Sequence, residues 1–266
     1  MILEKRVAMS PTLLSVLLCL FFSTQICANA SDTQTDSIDG QMYQDIKPKF
    51  SCKQLILPSA LIVYGTVETI LAGKVKLINY GANQVVNNYV RSQFRVDDIT
   101  QYVPVASVYI LNLAGIKGEN DFKDRTIILG ISGLIVGASV NLLKYTTKIE
   151  RPDKATRNSF PSGHAAVAFM GAEFLRQEYK DVSPWYGIAG YTIAAGTGLL
   201  RVYNNRHWFG DVVAGAGFGI LSTRAAYWIY PMLQRNFPKK YKKGKSLVII
   251  PFYNGQQGGL SLSVNL

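Results

Sequence analysis

Apolar residues along this chain are concentrated in six stretches that alternate with polar or proline-containing connections. The stretches are Leu55–Ala72, Tyr102–Gly115, Thr126–Leu143, His164–Tyr179, Trp185–Leu200 and Asp211–Tyr230. Apolar stretches of this length are typical of packed helices, and the glycines that become frequent in the last two let neighbouring helices approach closely. The pattern predicts an all-α protein, a bundle of about six core helices within residues 55–232.

The end of the chain has a different pattern. Residues Ser246–Tyr253 and Gly259–Leu266 are strand-like, and the segment between them, Asn254 to Gly258, reads Asn-Gly-Gln-Gln-Gly. Strand-like segments separated by such a turn sequence are typical of a β-hairpin. We therefore expect residues 233–266 to form a basic segment followed by a short hairpin-like tail.

The N-terminal residues resemble an export signal. Lys5 and Arg6 precede an apolar run, Leu13–Phe22, and small residues follow at Ala28-Asn29-Ala30. This order of charge, apolar run and small residues predicts a secretory signal peptide over residues 1–30, followed by a polar linker over 31–54. The alternative is an uncleaved first membrane helix. Cleavage after Ala30 would leave Cys52 as a single cysteine, which cannot form an internal disulfide.

The formal net charge of +11 is partly concentrated between residues 235 and 245, where six basic residues occur without an acidic one. Such a run is either a solvated tail or a segment that lies against anionic lipid on the cytoplasmic side of a membrane. Charge alone would also permit nucleic-acid binding, but no nucleic-acid-binding motif accompanies it. We therefore expect a membrane partner and no nucleic acid.

The depth of membrane insertion stays open at this point. Several apolar stretches are shorter than the roughly 20 residues that span a bilayer, and three contain charged residues. Six full spans after a cleaved signal would place the motif loops in the cytoplasm and the basic tail outside, against the positive-inside tendency. We therefore expect Leu55–Ala72 not to span, and the site to face the periplasm of a bacterial cell envelope.

Both histidines of the chain stand in unusual surroundings. His164 ends the sequence Phe160-Pro161-Ser162-Gly163-His164 at the start of the fourth apolar stretch. His207 follows Arg201 by six positions and precedes Asp211 by four. Upstream, Lys144 is followed seven positions later by Arg151-Pro152. The three groups together predict one site.

The charges and backbone groups of these motifs suit a phosphate. Lys144 and Arg151 would lie two turns apart and share a site if their helix continues that far. N–H groups of Ser162 and Gly163 at a helix start attract anions. Arg201 adds a guanidinium that can bind two phosphate oxygens. We therefore expect these five residues to form a phosphate-binding cradle.

The histidines would then supply the chemistry. The Asp211 carboxylate can accept the Nδ1–H of His207, which leaves Nε2 free to attack phosphorus. His164 can donate a proton to the departing oxygen and later act as the base for water. Since Lys and Arg side chains neutralise the developing charge, we expect neither a metal nor another cofactor. A zinc or iron hydrolase using His164, His207 and Asp211 is the chemical alternative.

The ordered set Lys144-x6-Arg151-Pro152, Pro161-Ser162-Gly163-His164 and Arg201-x5-His207-x3-Asp211 resembles the three signature motifs of the type-2 phosphatidic acid phosphatase (PAP2) and vanadium haloperoxidase superfamily. The resemblance implies a PAP2-type helical bundle. In it, His207 is the nucleophile, Asp211 is the carboxylate that orients His207, and His164 is the acid. One position departs from the pattern, because Leu200 stands where the family usually has a serine.

The resemblance also bears on the substrate. It implies a phosphatase acting on a lipid phosphate, with undecaprenyl diphosphate, phosphatidylglycerol phosphate, phosphatidate and lipid A phosphates as candidates. A soluble periplasmic acid phosphatase is the main alternative, followed by a vanadate-dependent haloperoxidase and a non-catalytic lipid-binding protein.

Asp97 and Asp98 could suggest a metal pair, but we interpret them as an acidic helix N-cap. No pattern indicates the oligomeric state.

Overall fold

The computed structural model describes residues 53–71, 78–89, 95–236, 246–253 and 258–265. Within these residues, the helices are α1 (Lys53–Leu71), α2 (Ile78–Tyr89), α3 (Asp97–Thr100), α4 (Val103–Leu113), α5 (Phe122–Thr147), α6 (Gly163–Tyr179), α7 (Pro184–Tyr203) and α8 (Phe209–Asn236). The strands are β1 (Ser246–Tyr253) and β2 (Gly258–Asn265).

The predicted all-α architecture is confirmed. Each of the six apolar stretches corresponds to one helix, namely α1, α4, α5, α6, α7 and α8. The sequence did not predict α2 or α3, because α2 is polar and asparagine-rich and α3 has only four residues. Helix α1 begins at Lys53, two residues before the predicted boundary. The predicted signal peptide and nearly all of the predicted linker lie outside the described residues.

Local sequence explains where the central helices begin. The hydroxyl of Ser162 accepts a hydrogen bond from the N–H of Ala165 at the start of α6. Ser183 caps α7 in the same way, and Pro184 occupies the first turn, where a missing N–H costs nothing. Two serine caps therefore fix the starts of α6 and α7.

Helix α6 is the most buried element of the bundle. It packs against α4, α5 and α7, and its side chains Phe174 and Tyr179 are fully buried beside Val108 and Ile128. Helix α8 approaches it through glycines, since a Cβ atom on Gly215 would lie 2.5 Å from the carbonyl oxygen of Ser162. The small residues that the sequence displayed are therefore where helices come into backbone contact.

A buried polar network lies further along α6. Glu173 is fully buried and accepts hydrogen bonds from Arg176 (2.8 and 2.7 Å), Arg224 (2.8 Å) and Tyr191. These contacts connect α6 with α7 and α8. Because the carboxylate faces two guanidinium groups and a hydroxyl, its burial is compensated.

Two described helices are long and apolar enough to cross a membrane, Phe122–Thr147 and Phe209–Gln234. Helix α1, which coincides with the stretch Leu55–Ala72 that we expected not to span, is not one of these two helices. Large apolar side chains are also exposed around the bundle, among them Leu113, Leu134, Leu142 and Trp185. These surfaces are consistent with contact with lipid.

Residues from Pro231 onward form a second compact unit. Strands β1 and β2 pair antiparallel, with Ser246 opposite Asn265 and Tyr253 opposite Gly258. The second strand is one residue earlier than the sequence indicated. The lysines of the basic run, between 239 and 245, lie outside the described residues.

Candidate active site

Four helix ends bring the three motifs together. Lys144 is in the last turn of α5, His164 in the first turn of α6, Arg201 near the end of α7 and Asp211 in the first turn of α8. The backbone N–H of Ser162 donates to the carbonyl oxygen of Asp211 at 2.9 Å, which joins the starts of α6 and α8. All eight residues proposed from the sequence lie in this region.

The helix of Lys144 does not continue as far as Arg151, which was the condition for the two residues to share a site along one helix. Helix α5 ends at Thr147, because Lys148 adopts a left-handed conformation (φ 48°) that breaks the helical path. Arg151 therefore lies in the loop between α5 and α6. The charges of Lys144, Arg151 and Arg201 nevertheless act on one another, so the loop returns Arg151 to the site.

Several hydrogen bonds hold this loop against the motif residues. The ammonium of Lys144 donates to the carbonyl oxygen of Asn158 at 2.8 Å. The N–H of Arg151 donates to the carbonyl of Thr156 at 3.0 Å, and the indole N–H of Trp208 donates to that of Glu150 at 2.9 Å. The loop is thereby fixed to both α5 and the segment that carries His207.

The guanidinium groups of Arg151 and Arg201 each have an N–H donor without a hydrogen-bond partner among the described residues. The donor atom is Nε in each case, and both Nε atoms are buried. Burial and the neighbouring Arg201 and Arg206 lower the pKa of Arg151, while Asp153 and Asp211 oppose this. Buried, unpartnered N–H groups on cationic side chains are well suited to an oxyanion.

The expectation that the N–H of Ser162 binds phosphate is wrong, since this N–H is donated to Asp211. The Ser162 side chain is also buried and is used as the helix cap. Both contacts hold the helix start in position; because the cap uses the hydroxyl only as an acceptor, phosphate binding by the Ser162 side chain stays a prediction. Gly163, the first residue of α6, remains at the N-terminal end, where helix N–H groups and the helix dipole favour an anion.

The predicted hydrogen bond between His207 and Asp211 is not formed. The two closest atoms, Nδ1 of His207 and Oδ2 of Asp211, are 3.7 Å apart, and Nδ1 has no partner among the described residues. The carboxylate instead accepts from the hydroxyl of Ser159, the N–H of Trp208 (3.1 Å) and the hydroxyl of Thr69 (3.3 Å). These donors occupy both carboxylate oxygens.

His207 is nearly completely buried. Burial lowers the pKa of its imidazole to about 4; Asp211 raises it, and Lys144 and Arg201 lower it further. The ring is therefore neutral at physiological pH and retains a nitrogen lone pair. A buried neutral imidazole beside several cations is suited to nucleophilic attack on an anionic phosphate.

Asp97 and Asp98 have a different part from the one predicted. The N-cap position of α3 is Val96, and neither aspartate caps the helix. Asp97 is buried and accepts hydrogen bonds from Arg201 and from the amide of Asn204 (3.1 Å). Asp98 accepts from Nε2 of His164 at 2.9 Å. The local sequence around Asp97 and Asp98 does not predict these contacts, because the partner residues are distant in the sequence.

Other residues that no motif indicated also complete the site. Ser159 and Thr69 bind Asp211, as described above. The side-chain oxygen of Asn79 in α2 accepts a hydrogen bond from the N–H of Gly210 at 2.8 Å. The backbone N–H of Asn79 donates to the carboxylate of Glu68 at 2.8 Å. Helices α1 and α2 therefore support the start of α8.

Among the described residues, Asp97, Asp98 and His164 have donor atoms within 4.8 Å of one another, close enough to share a cation. Arg201 already places its guanidinium against Asp97 and within 3.9 Å of Asp98. A second cation here would face this charge, so we do not assign these residues as metal ligands.

A large cleft lies away from the motif residues. It measures about 850 Å³, is mainly apolar, and runs along α7 from Ser183 to Leu199, with Arg176 and Lys180 at one end. None of the motif residues lines it. The chemistry of the motifs is therefore separate from this surface.

Comparison with known sequences shows which proteins the motif-bearing segment resembles. The sequence model of the PAP2 superfamily matches residues 125–235, which contain all three motifs. This segment of the chain is therefore similar to the PAP2 superfamily. Lipid A 1-phosphatase of Porphyromonas gingivalis is 39% identical over 143 residues, 53% of this chain and 32% of that protein. The match thus spans about a third of the length of the curated relatives.

Two solved structures are similar at lower identity. One is LpxE of Aquifex aeolicus, at 22% identity and a TM-score of 0.43, covering 56% of this chain and 94% of that one. The other is a transmembrane PAP2 type phosphatidylglycerolphosphate phosphatase of Bacillus subtilis, also at 22% identity and a TM-score of 0.43, covering 70% and 99%.

Proposed function

We propose that this protein is a metal-independent phosphatase that cleaves a phosphate monoester or diphosphate of a membrane lipid through a phosphohistidine at His207. One observation carries the proposal. A buried neutral imidazole stands near Lys144 and Arg201, and the charge of Arg151 acts on both of these cations. Both guanidinium groups have buried N–H donors without a partner among the described residues. A tetrahedral oxyanion would satisfy these donors and neutralise the cations.

In the first step, the Nε2 lone pair of His207 attacks phosphorus. The N–P bond forms as the P–O bond to the lipid breaks, and the departing oxygen takes a proton from His164. Lys144, Arg151, Arg201 and the N-terminal end of α6 at Gly163 stabilise the charge on the equatorial oxygens. Asp211, beside Nδ1 of His207, offsets the positive charge that develops on the ring.

In the second step, neutral His164 takes a proton from water while the water oxygen forms a bond to phosphorus. The N–P bond breaks, inorganic phosphate leaves, and both histidines return to their starting states. The proton that His164 lost in the first step is recovered here, so the cycle consumes only water.

Three observations support a lipid substrate. Helices α5 and α8 include the segments long and apolar enough to cross a membrane, and large apolar side chains are exposed around the bundle. The curated relative at 39% identity is by name a lipid phosphatase. We infer that the protein is associated with the membrane of a bacterial envelope and that its site faces the periplasm.

The proposal is tested by phosphate release from purified protein in EDTA. The panel contains phosphatidate, phosphatidylglycerol phosphate, undecaprenyl diphosphate and lipid A, together with small soluble phosphate esters. We expect release from a lipid substrate, and loss of that release in His207→Ala. Release from soluble esters alone would instead favour a periplasmic acid phosphatase. Release that persists in His207→Ala would contradict the mechanism.

A further inference from the structure

Asp98 lies beside the histidine proposed as the acid. Its Oδ1 atom is 2.9 Å from Nε2 of His164, and the nearest guanidinium nitrogen of Arg201 is 3.9 Å away. The side chain of Asp98 is 57% exposed and that of His164 28% exposed, whereas His207 is buried. The pair therefore stands on the solvent-accessible side of the site, where a leaving group departs.

The short helix that carries Asp98 is fixed by contacts of its own. The hydroxyl of Thr197 on α7 donates to the hydroxyl of Thr100 at 2.9 Å. Asp97 binds Arg201, and the amide of Gln101 donates to the carbonyl of Asp98 at 2.9 Å. Asp98 is thus held in place relative to α7 without any contribution from His164.

The contact constrains where the proton of His164 resides. An ionised carboxylate only accepts hydrogen bonds, so Nε2 of His164 must carry a proton. Nδ1 is then the nitrogen that gains and loses the catalytic proton. Burial and Arg201 lower the pKa of His164, whereas Asp98 and then Asp97 raise it. These are the charged groups that face the ring.

We propose that Asp98 is a positioning residue for the acid, which fixes the Nε2–H tautomer of His164 and favours its protonated form. The inference rests on the proposed function. In the first step, the Nδ1 proton passes to the departing oxygen as the P–O bond breaks and the N–P bond to His207 forms. Asp98 keeps its Nε2 contact throughout and takes no proton.

A competing interpretation is that the Asp98 carboxylate only competes with phosphate for the guanidinium of Arg201, which lies 3.9 Å away. The two interpretations differ in their kinetics. Removing a positioning carboxylate lowers kcat for substrates whose leaving group needs a proton. Removing a competitor of phosphate lowers KM and leaves kcat unchanged.

The test compares Asp98→Asn with wild type on two substrates, phosphatidate in mixed micelles and p-nitrophenyl phosphate. The alkoxide leaving group of phosphatidate needs a proton, whereas p-nitrophenolate does not. We expect kcat on phosphatidate to fall about 10- to 100-fold, by analogy with the loss of a carboxylate that orients a metal-ligating histidine. The change on p-nitrophenyl phosphate should be less than about threefold.

The pH profile gives a second readout. Asn in place of Asp98 removes a charge that raises the pKa of His164, so the alkaline limb of kcat should move to lower pH. Asp98→Glu keeps the charge and should restore part of the lost rate. Asp181→Asn removes an exposed acid outside the site and should leave activity unchanged. Melting temperatures of all variants check that folding is retained.

Three results would overturn the inference. They are a lower KM with unchanged kcat, an equal loss on both substrates with no shift of the alkaline limb, and a profile identical to wild type. If wild type is active and His207→Ala is inactive, these results concern Asp98 alone. If wild type is inactive on phosphatidate, the lipid of the panel that it does hydrolyse takes the place of phosphatidate; a wild type that releases no phosphate from any of these lipids would overturn the proposed function and this inference with it.

Discussion

The carboxylate of Asp211 lies 3.7 Å from Nδ1 of His207, and its two oxygens accept hydrogen bonds from three other donors. Asp211 therefore fixes the local structure around His207, the proposed nucleophile, and also places a negative charge beside it. The hydroxyl of Ser159 and the N–H of Trp208 share the oxygen nearest His207. The loop before α6 is thus connected directly to the nucleophile's neighbour.

This arrangement predicts that Asp211→Asn impairs both activity and stability. The substitution removes the negative charge that would stabilise a charged His207 ring, and it introduces an N–H₂ group where two donors already point. We expect phosphate release to fall by about 100-fold or more, and stability by about 1–3 kcal/mol. Activity assays and thermal melting measure the two effects.

Asp121→Asn is the matched control, because Asp121 is exposed and lies before α5, outside the site. It should change neither property. Full activity in Asp211→Asn would show that the charge is not used in catalysis.

A second prediction concerns the pH dependence of kcat/KM. The nucleophile must be neutral, and the pKa of His207 is lowered to about 4, so activity should rise with pH through that value. The acid must be protonated, and burial lowers the pKa of His164 below its ordinary 6.5, so activity should fall as pH rises through this lower value. The optimum should therefore be acidic.

Rates must be corrected for ionisation of the substrate phosphate, which titrates near pH 6. Wild type and Asp98→Asn should share the acidic limb, since that limb belongs to His207. An acidic limb near the ordinary histidine value would mean that His207 is not buried as described.

A third prediction concerns the packing of α8 against α6. A methyl group at position 215 would meet the Ser162 carbonyl at 2.5 Å and Ala165 at 3.3 Å. Gly215→Ala should therefore push apart the starts of α6 and α8, with a loss of stability of about 1–3 kcal/mol and reduced activity. Thermal melting and kinetic assays would detect both.

Gly137→Ala provides the comparison, because a Cβ atom at Gly137 meets nothing within 4 Å. Alanine has the higher helix propensity, so this variant should be as stable as wild type or slightly more so. Equal destabilisation by both substitutions would contradict the packing argument.

A fourth prediction concerns the buried network around Glu173. Glu173→Gln removes the charge that faces Arg176 and Arg224 and leaves two guanidinium groups uncompensated. Breaking a buried ion pair in this way typically costs about 3–5 kcal/mol. Denaturant or thermal unfolding would measure the loss.

The catalytic step should survive in folded Glu173→Gln at low temperature, because Glu173 lies nine positions after His164 along α6. Glu119→Gln changes an exposed acid and should be neutral. A fully stable Glu173→Gln would show that the network is dispensable.

The sequence by itself indicated the motif residues of the candidate site and the core helices whose ends carry them. Apolar stretches identify the six core helices because burial requires continuous apolar surface, and three ordered motifs identify Lys144, Arg151, His164, Arg201 and His207 because phosphate chemistry needs these groups. Because the motif loops follow the third and fifth apolar stretches, the sequence also predicts that they lie on the same face of the bundle.

Only the tertiary structure decided the partners of these residues. Asp98 contacts His164 across 66 positions, Asp97 contacts Arg201 across 104, and Thr69 contacts Asp211 across 142. Periodicity and local motifs carry no information on such pairs, because the contacts depend on how helices pack. For the same reason, the sequence could place Asp211 near His207 but could not show that Ser159 and Trp208 occupy its carboxylate.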